Sequence, residues 1–553
     1  MDIATQVQTY FAEAADATDP AEAVPHTSAG NNVTPLIDGR RYFREIRTLL
    51  TSLGTGPNIK NQFFYTAGWW LHLSPAPGTI TTGGVNQAGV PVSPTTRTAL
   101  DTMPAFAIED DKLGPYPLMS QLLAEKAAAG VDIRVLGWVN PALLLEKIAS
   151  LPGAESYWTV VVGTLKSIDE LRNRSVGAAK PMAKRVCALT AAPLFGAFHL
   201  KLVIAHDGTT PWAFTGGIDF VPNRVAGEMH PSPTENWHDM AVAVNGPGVQ
   251  PFYDLFRNLW NEQLKRSTQR LLLNGKTVNS VEPATSPVPP RTLPTTGTGK
   301  HRVQVARTLP QFNYSSTFQK FATSSGSSTL SFVPNGSFEV RVAWRKAIAR
   351  ATEYIYIEDQ SLWSQEVMDW INARLKANAT VKVILLSGAP DPNDPPNDGP
   401  FVEAVNNNLL KTLSQTQKAR VGLFVRKGIV IHSKVTLIDD HWFFAGSANC
   451  MRRSLFTDGE LSVATLDEND VLAQTVRVDL WGGHFGKASG APRASLKNLK
   501  NALGVWNPAW GGTPPYALPS ARIDVRTLPL PTAVIPFDPE QYMLADADSR
   551  QLY

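Results

Sequence analysis

Cysteine is almost missing from this chain: of 553 residues only Cys187 and Cys450 carry a thiol. That excludes a disulfide-framed scaffold and any cysteine-rich zinc site. An excess of one charge is missing too. Lysine and arginine number 51 against 48 aspartates and glutamates, a net of +3, without the basic footprint of a dedicated nucleic-acid binder. No stretch approaches the roughly 20 apolar residues of a membrane helix. The opening "MDIATQVQTYFAEAADATDPAEAV" shows neither the basic start nor the apolar core of a signal peptide. The expectation is a protein without a transmembrane segment, cytoplasmic or exported by a route that needs no signal in the chain, and a monomer.

What is present is globular: 43% apolar and 18% charged residues, in a chain longer than one core usually serves. "FREIRTLLTSL" (43–53) and "LMSQLLAEKAAAGVDIRVLGWV" (118–139) read as helix, then helix, glycine stop and β-branched strand. "RVAWRKAIARATEYIYIED" (341–359) repeats that order after the Pro/Thr-rich "EPATSPVPPRTLPTTGTGK" (282–300), which has linker composition. The stretch starting at Leu386, "LSGAPDPNDPPNDGP", reads as a surface loop, because prolines occupy the places where an EF-hand wants calcium ligands. Helix-to-strand order predicts an α/β fold with mixed, mostly parallel sheets.

Two segments repeat one another. "FHLKLVIAHDGTTPWAFTGGID" (198–219) and "IHSKVTLIDDHWFFAGSAN" (431–449) each carry His-x-Lys, an apolar run, and a second apolar segment ending in small residues. Residues two apart in a strand share a face, so each pair sets an imidazole beside an ammonium. One such pair is an ordinary strand-edge feature. Two copies with matched endings supply what displacement at a phosphodiester needs: a nucleophile, a proton for the leaving oxygen, and positive charge around the nonbridging oxygens.

These residues resemble the phospholipase D superfamily, whose signature is His-x-Lys, four residues, Asp, six residues, then Gly-Ser or Gly-Gly and a closing Asn. The second copy fits at His432, Lys434, Asp439, Gly446, Ser447 and Asn449. The first fits at His199, Lys201, Gly216 and Gly217, but has His206 where the aspartate belongs, Asp207 one place late, and Asp219 at the end. "NWHDMAVAV" (236–244) and "DGELSVATL" (458–466) are similar to the family's carboxylate segments, which gives Asp239 and Glu460. "VQVARTLP" (303–310) and "YIYIEDQSL" (354–362) resemble the lipid-cleaving branch, so the likeness runs from about residue 36 to 485.

The resemblance implies two similar α/β/α sandwich halves related by a pseudo-twofold axis, with the active site at their interface. Expected boundaries are an N-terminal extension (1–35), a first half (36–281), a linker (282–302), a second half (303–485) and a Pro-rich C-terminal segment (486–553) packing on the body. The implied activity is that of a phospholipase D, hydrolysing or transferring phosphatidyl groups through a phosphohistidine at a membrane or micelle surface, with no metal or cofactor. His199 would attack and His432 would serve as acid and base. Lys201 and Lys434 would hold the phosphate oxygens. Asp239, expected beside His199, and Glu460 would orient the imidazoles. Asp207, Gly217, Asp219, Asp439, Ser447 and Asn449 would bind or support the phosphate. Trp69, Trp70, Trp212, Trp363 and Trp442 are candidates for an acyl groove or wet rim. A nuclease, a phospholipid synthase and a non-catalytic lipid binder are the alternatives; the near-neutral charge argues against the first.

Overall fold

In the computed structural model, which describes residues 1–18, 22–73, 119–139, 154–190, 197–221, 224–227, 230, 237–265, 270–273, 276–282, 284–310, 330–388, 405–426, 429–486, 493–511 and 523–525, the β-branched runs form strands and the amphipathic runs helices. The strands before the linker are β1 (His26–Ile37), β2 (Phe63–Gly68), β3 (Asp132–Trp138), β4 (Val186–Leu189), β5 (Lys201–His206), β6 (Pro211–Gly216), β7 (Trp237–His238), β8 (Met240–Asn245), β9 (Arg270–Leu273) and β10 (Lys276–Asn279). After it come β11 (His301–Leu309), β12 (Ser337–Phe338), β13 (Tyr354–Glu358), β14 (Lys382–Gly388), β15 (Val421–Arg426), β16 (Val430–Ile431), β17 (Val435–Ile438), β18 (Trp442–Gly446), β19 (Glu460–Asp467) and β20 (Ile523–Val525). The Pro/Asp loop expected near residue 390 lies mostly outside the described residues, as does most of the C-terminal segment.

One sheet runs through the molecule in the order β20-β15-β14-β13-β17-β18-β19-β11-β1-β8-β6-β5-β2-β3-β4, with β12 beside β11. Strand β1 makes it continuous. Its first residues pair with β11 and its later ones, from Asn32, pair with β8. Gly30 sits at the changeover with φ 77°, and an added Cβ would lie 2.4 Å from the Gly297 carbonyl oxygen, so only glycine fits. Read outward from the β1–β11 pair, β1-β8-β6-β5-β2-β3-β4 on one side follows the same succession as β11-β19-β18-β17-β13-β14-β15 on the other.

The α/β class holds, but the sheet is not mostly parallel. Among the described residues, parallel pairing within it is confined to β2–β3–β4 and β13–β14–β15. Two of the antiparallel pairs follow from connection length. Each His-x-Lys strand turns directly into its partner, β5 into β6 and β17 into β18, and a short hairpin allows only antiparallel pairing. Helices Gly39–Ser52, Met119–Ala128 and Gln250–Leu264 pack on one part of the sheet, and Glu339–Arg350 and Gln365–Ala377 cover another. The helix Leu499–Trp506 sets Trp506 against Phe424, Trp481 and Phe485.

Candidate active site

Both motif histidines lie just ahead of their strands, not within them, in short segments that cross to the other half of the chain. Phe198 bridges in parallel to Gly459, with the Leu200 N–H donating to the Gly459 carbonyl at 2.8 Å and the Gly459 N–H to the Ala197 carbonyl at 2.7 Å. Correspondingly, β16 runs parallel to β7, and the His432 N–H donates to the His238 carbonyl at 2.8 Å. Gly459 is required at the first crossing, since a Cβ there would meet the Phe198 ring at 2.3 Å. Each histidine is thereby delivered to the carboxylate segment of the opposite half.

The carboxylates are therefore crossed with respect to the sequence expectation. Asp239 does not orient His199. Its Oδ2 lies 2.6 Å from His432 Nδ1, whereas His199 Nδ1 faces Glu460 at 3.2 and 3.3 Å and the Ser447 carbonyl at 3.0 Å. The Ser447 carbonyl can only accept, so His199 Nδ1 carries a proton and a neutral ring keeps its lone pair on Nε2. Glu460 is held in turn by the Ser447 and Ser454 hydroxyls at 2.5 and 2.6 Å. Each lysine folds back on its own motif: Lys201 Nζ donates to the His199 carbonyl at 2.8 Å, and Lys434 Nζ to that of His432.

All these groups are buried, and burial sets their protonation. Burial, reinforced by Lys201 and Lys434, presses His199 well below its ordinary pKa; burial with Lys434, Arg224 and Lys201 does the same to His432. Burial raises Asp239 and Glu460 to about 7 against the pull of neighbouring cations and, for Glu460, of two serine hydroxyls. It lowers Lys434, which Asp359 and Asp239 oppose. The site thus rests with neutral imidazoles under cationic lysines, and a phosphodiester anion entering between them would raise both imidazoles toward protonation.

The remaining expected residues separate by position. Asn449 is 1% exposed and, among the described residues, neither polar atom of its amide has a hydrogen-bond partner, which leaves both available to a substrate. Asp219 lies 3.5 Å from Lys201 Nζ and accepts from the Trp70 N–H at 3.3 Å, so it steadies a lysine. Gly217 acts by being small: a Cβ would stand 2.1 Å from Asp239 Oδ1 and 2.9 Å from the His432 carbonyl. Asp439 sits at the far end of β17, where it accepts from the N–H groups of Thr352, Glu353 and Tyr354 at 2.6–2.9 Å and from the Tyr10 hydroxyl at 3.0 Å. Asp207 caps its own turn through the Thr209 and Thr210 N–H groups, both at 2.8 Å, and does not swing back toward the motif. Among the described residues, the hydrogen bonds of these two carboxylates go to their own turns and neighbouring backbone and to the Tyr10 and threonine hydroxyls, not to a motif histidine or lysine.

Of the five tryptophans proposed for a rim, Trp69 is the one set edge-on to a motif histidine, His199, at 5.2 Å. Trp442 is wholly buried, stacked on Phe444, and is core. Trp237, singled out only as part of a segment, takes the corresponding place beside His432 at 5.1 Å, with the Arg224 guanidinium 3.5 Å over its ring.

Sequence reading missed a buried polar chain directly behind His432. His238 Nδ1 lies 3.0 Å from Asp38 Oδ1 and His238 Nε2 lies 2.8 Å from Glu358 Oε1; His484 Nε2 meets Glu358 Oε2 at 2.9 Å. Asp38, Glu358 and His484 come from separate elements with no shared spacing, although the two carboxylates closing the apolar "YIYIED" were a signal. Donor atoms of His238, Glu358 and His484 lie within 4.8 Å of one another, as do those of Asp38, His230 and His238. The first group does not suit a metal ion. Arg426 Nη1 donates to His484 Nδ1 at 2.9 Å, so Nε2 carries that ring's proton and has no lone pair to offer.

The family described as "Cardiolipin synthase, PLD-like domain" matches residues 344–480, which include the second motif and Glu460. "Phospholipase D A" of Dictyostelium discoideum is 21% identical over 460 residues, covering 66% of this chain and 32% of that protein. Residues 344–480 thus carry a phospholipase D-like domain. The chain spans about a third of the length of that Dictyostelium relative. Among solved structures, the phosphatidylserine synthase of Haemophilus influenzae is similar at 12% identity and a TM-score of 0.46, over 81% of this chain and 85% of that one. The polyphosphate kinase of Porphyromonas gingivalis is similar at 11% identity and a TM-score of 0.39, over 82% and 50%. Among the described residues no helix is long and apolar enough to cross a membrane.

Proposed function

We propose that this protein is a phospholipase D: it cleaves the distal phosphodiester bond of glycerophospholipids at a membrane or micelle surface, with transfer to small alcohols as a second outcome. The observation that carries the reading is the crossed pair of buried imidazole–carboxylate couples, each with its own lysine. The two halves of the chain are read as pseudo-twofold copies meeting at this site. The name of the Dictyostelium relative and the tryptophan beside each histidine favour a lipid over a nucleic acid.

In this mechanism His199 Nε2 attacks phosphorus and the bond from phosphorus to the headgroup oxygen breaks. His432 gives that oxygen its proton. Water then attacks phosphorus and passes a proton to His432; the phosphorus–nitrogen bond breaks, leaving phosphatidic acid and restoring both rings. The geometry supports this division of roles. His199 shares its Nδ1 proton with a carbonyl, which suits a neutral nucleophile, while the single 2.6 Å carboxylate contact of His432 suits the ring that must become an imidazolium. Lys201, Lys434 and the unpaired amide of Asn449 would hold the nonbridging oxygens.

The test is phosphatidylcholine or phosphatidylethanolamine in mixed micelles with ethanol, products read by mass. Phosphatidic acid plus phosphatidylethanol is expected, because an intermediate open to water is open to a small alcohol. Phosphatidic acid alone at high ethanol would remove the covalent step, and no product from any phospholipid would remove the function.

A further inference from the structure

The Asp38–His238–Glu358–His484 chain takes no part in the displacement, yet it stands directly behind one of the two reacting imidazoles. We propose that His238 is a positioning residue, a buried cation that joins the anchor of Asp239 to the anchor of His432 and so holds that pair in register; this rests on the phosphodiester chemistry proposed above.

Each anchor is explicit. Asp38 grips the backbone of Asp239 from both sides: the Asp38 N–H donates to the Asp239 carbonyl at 2.8 Å, and Asp38 Oδ1 accepts from the Asp239 N–H at 3.3 Å. Glu358 Oε1 accepts from the hydroxyl of Ser433, the neighbour of His432. The His238 ring lies between these two carboxylates at 3.0 and 2.8 Å, while its own carbonyl takes the N–H groups of His432 and Ser433 at 2.8 and 3.2 Å. With a carboxylate within ion-pair distance of each nitrogen, at 3.0 and 2.8 Å, the ring is favoured in its positively charged form. Burial works against that charge, but Asp38 and Glu358 outweigh it and raise His238 to about 10.

The surroundings agree with a charged ring. His230 Nε2 approaches His238 Nδ1 at 3.4 Å and Asp38 Oδ2 at 3.8 Å. On the other side the Tyr356 hydroxyl donates to Glu358 Oε2 at 2.5 Å, and His484, backed by Arg426, is held by burial in its neutral form, at about 4. Two carboxylates are thus balanced by His238 and Arg426. Removing the charge on His238 would leave buried carboxylates facing each other across the segments that carry the pair.

The test uses the full chain and the variant His238→Gln. With 15N-labelled histidine, the 2.6 Å His432–Asp239 contact should give wild-type protein a far-downfield imidazole proton resonance. His238→Gln should shift it or broaden it away, while Trp260→Phe, a buried change in the helix Gln250–Leu264, leaves it in place. In turnover, His238→Gln should lose about 10- to 100-fold more on a substrate leaving as an alkyl alcohol than on one leaving as nitrophenol, taking the scale of loss known when the outer partner of a metal-ligating imidazole is removed. Only the poor leaving group needs the proton from His432. An unmoved resonance with equal loss on both substrates overturns the proposal, as does stoichiometric zinc in wild-type protein that His238→Gln abolishes. Should His238→Gln fail to fold, Ser433→Ala deletes only the hydroxyl link to Glu358 and carries both readouts: smaller changes in the same directions support the role, and none overturns it. Wild-type protein inert toward both kinds of phosphodiester would sink the catalytic reading instead, and the resonance would still decide the clamp.

Discussion

Exchanging the two carboxylates separately should disable different halves of the reaction. Asp239→Asn keeps the size of the side chain 2.6 Å from His432 Nδ1 but removes the charge that stabilises an imidazolium. General acid–base catalysis contributes on the order of 10² to 10⁴ in rate, roughly 2.7 to 5.4 kcal/mol of barrier at 1.36 kcal/mol per decade. With a nitrophenyl phosphodiester the first step needs no proton, so this variant should still release a burst approaching one nitrophenolate per protein. Its steady rate, limited by water attack with His432 as base, should fall by that factor. Glu460→Gln acts on His199, whose Nδ1 lies 3.2 Å from the carboxylate, and should slow the burst itself. Stopped-flow absorbance resolves both phases. A burst lost in Asp239→Asn and kept in Glu460→Gln would refute the assignment of roles.

Lys434→Met should cost about 2.7 to 4 kcal/mol in the barrier, the range for one lost oxyanion donor; near-normal turnover in a phospholipid assay would take Lys434 out of the site. Activity should survive excess chelator, since the charge facing the phosphate comes from lysines; full loss on chelation, restored by a divalent ion, would contradict this. On the acid side kcat/KM should fall below about pH 7, where the raised carboxyls of Asp239 and Glu460 take up protons and no longer support the imidazoles. For stability the sign follows from His238, whose folded pKa of about 10 exceeds its ordinary 6.5. Its contribution is complete below about 6.5 and lost as pH rises through about 10, so Tm should fall across that window in wild-type protein and less steeply in His238→Gln. Asp439→Asn should destabilise by about 2 to 4 kcal/mol in denaturant unfolding, because a charged acceptor of three backbone N–H groups is lost. Asp207→Asn, at a partly exposed turn, should cost under about 1 kcal/mol, and equal losses would show that the two motif aspartates do the same work after all.

The two motifs of the candidate site were legible in the sequence because they are written locally. His-x-Lys and the closing small residues are fixed by strand and hairpin geometry within some twenty positions, and both copies fold as hairpins. The α/β class was legible from the helix-to-strand order. The predominance of antiparallel pairing was not, since the helix-strand units drew attention away from what the hairpins themselves require. Least legible was partnership. Asp239 and His432 are separated by 193 positions, and His199 and Glu460 by 261. Nothing in either segment says which carboxylate meets which ring, and the nearer candidate in sequence, Asp239 for His199, was the wrong one.

Burial drives an imidazole toward neutrality and a carboxylate toward protonation, and here His199 and His432 are pressed well below their ordinary pKa, and Asp239 and Glu460 raised to about 7, with their partners in place. The pairing of β16 with β7, and of Phe198 with Gly459, places each ring beside its carboxylate. Backbone hydrogen bonds set the register of both crossings, and the glycines at 217 and 459 leave the room that the carboxylate and the ring require. The His238 chain lies on the crossing that carries His432, the ring proposed above as acid and base.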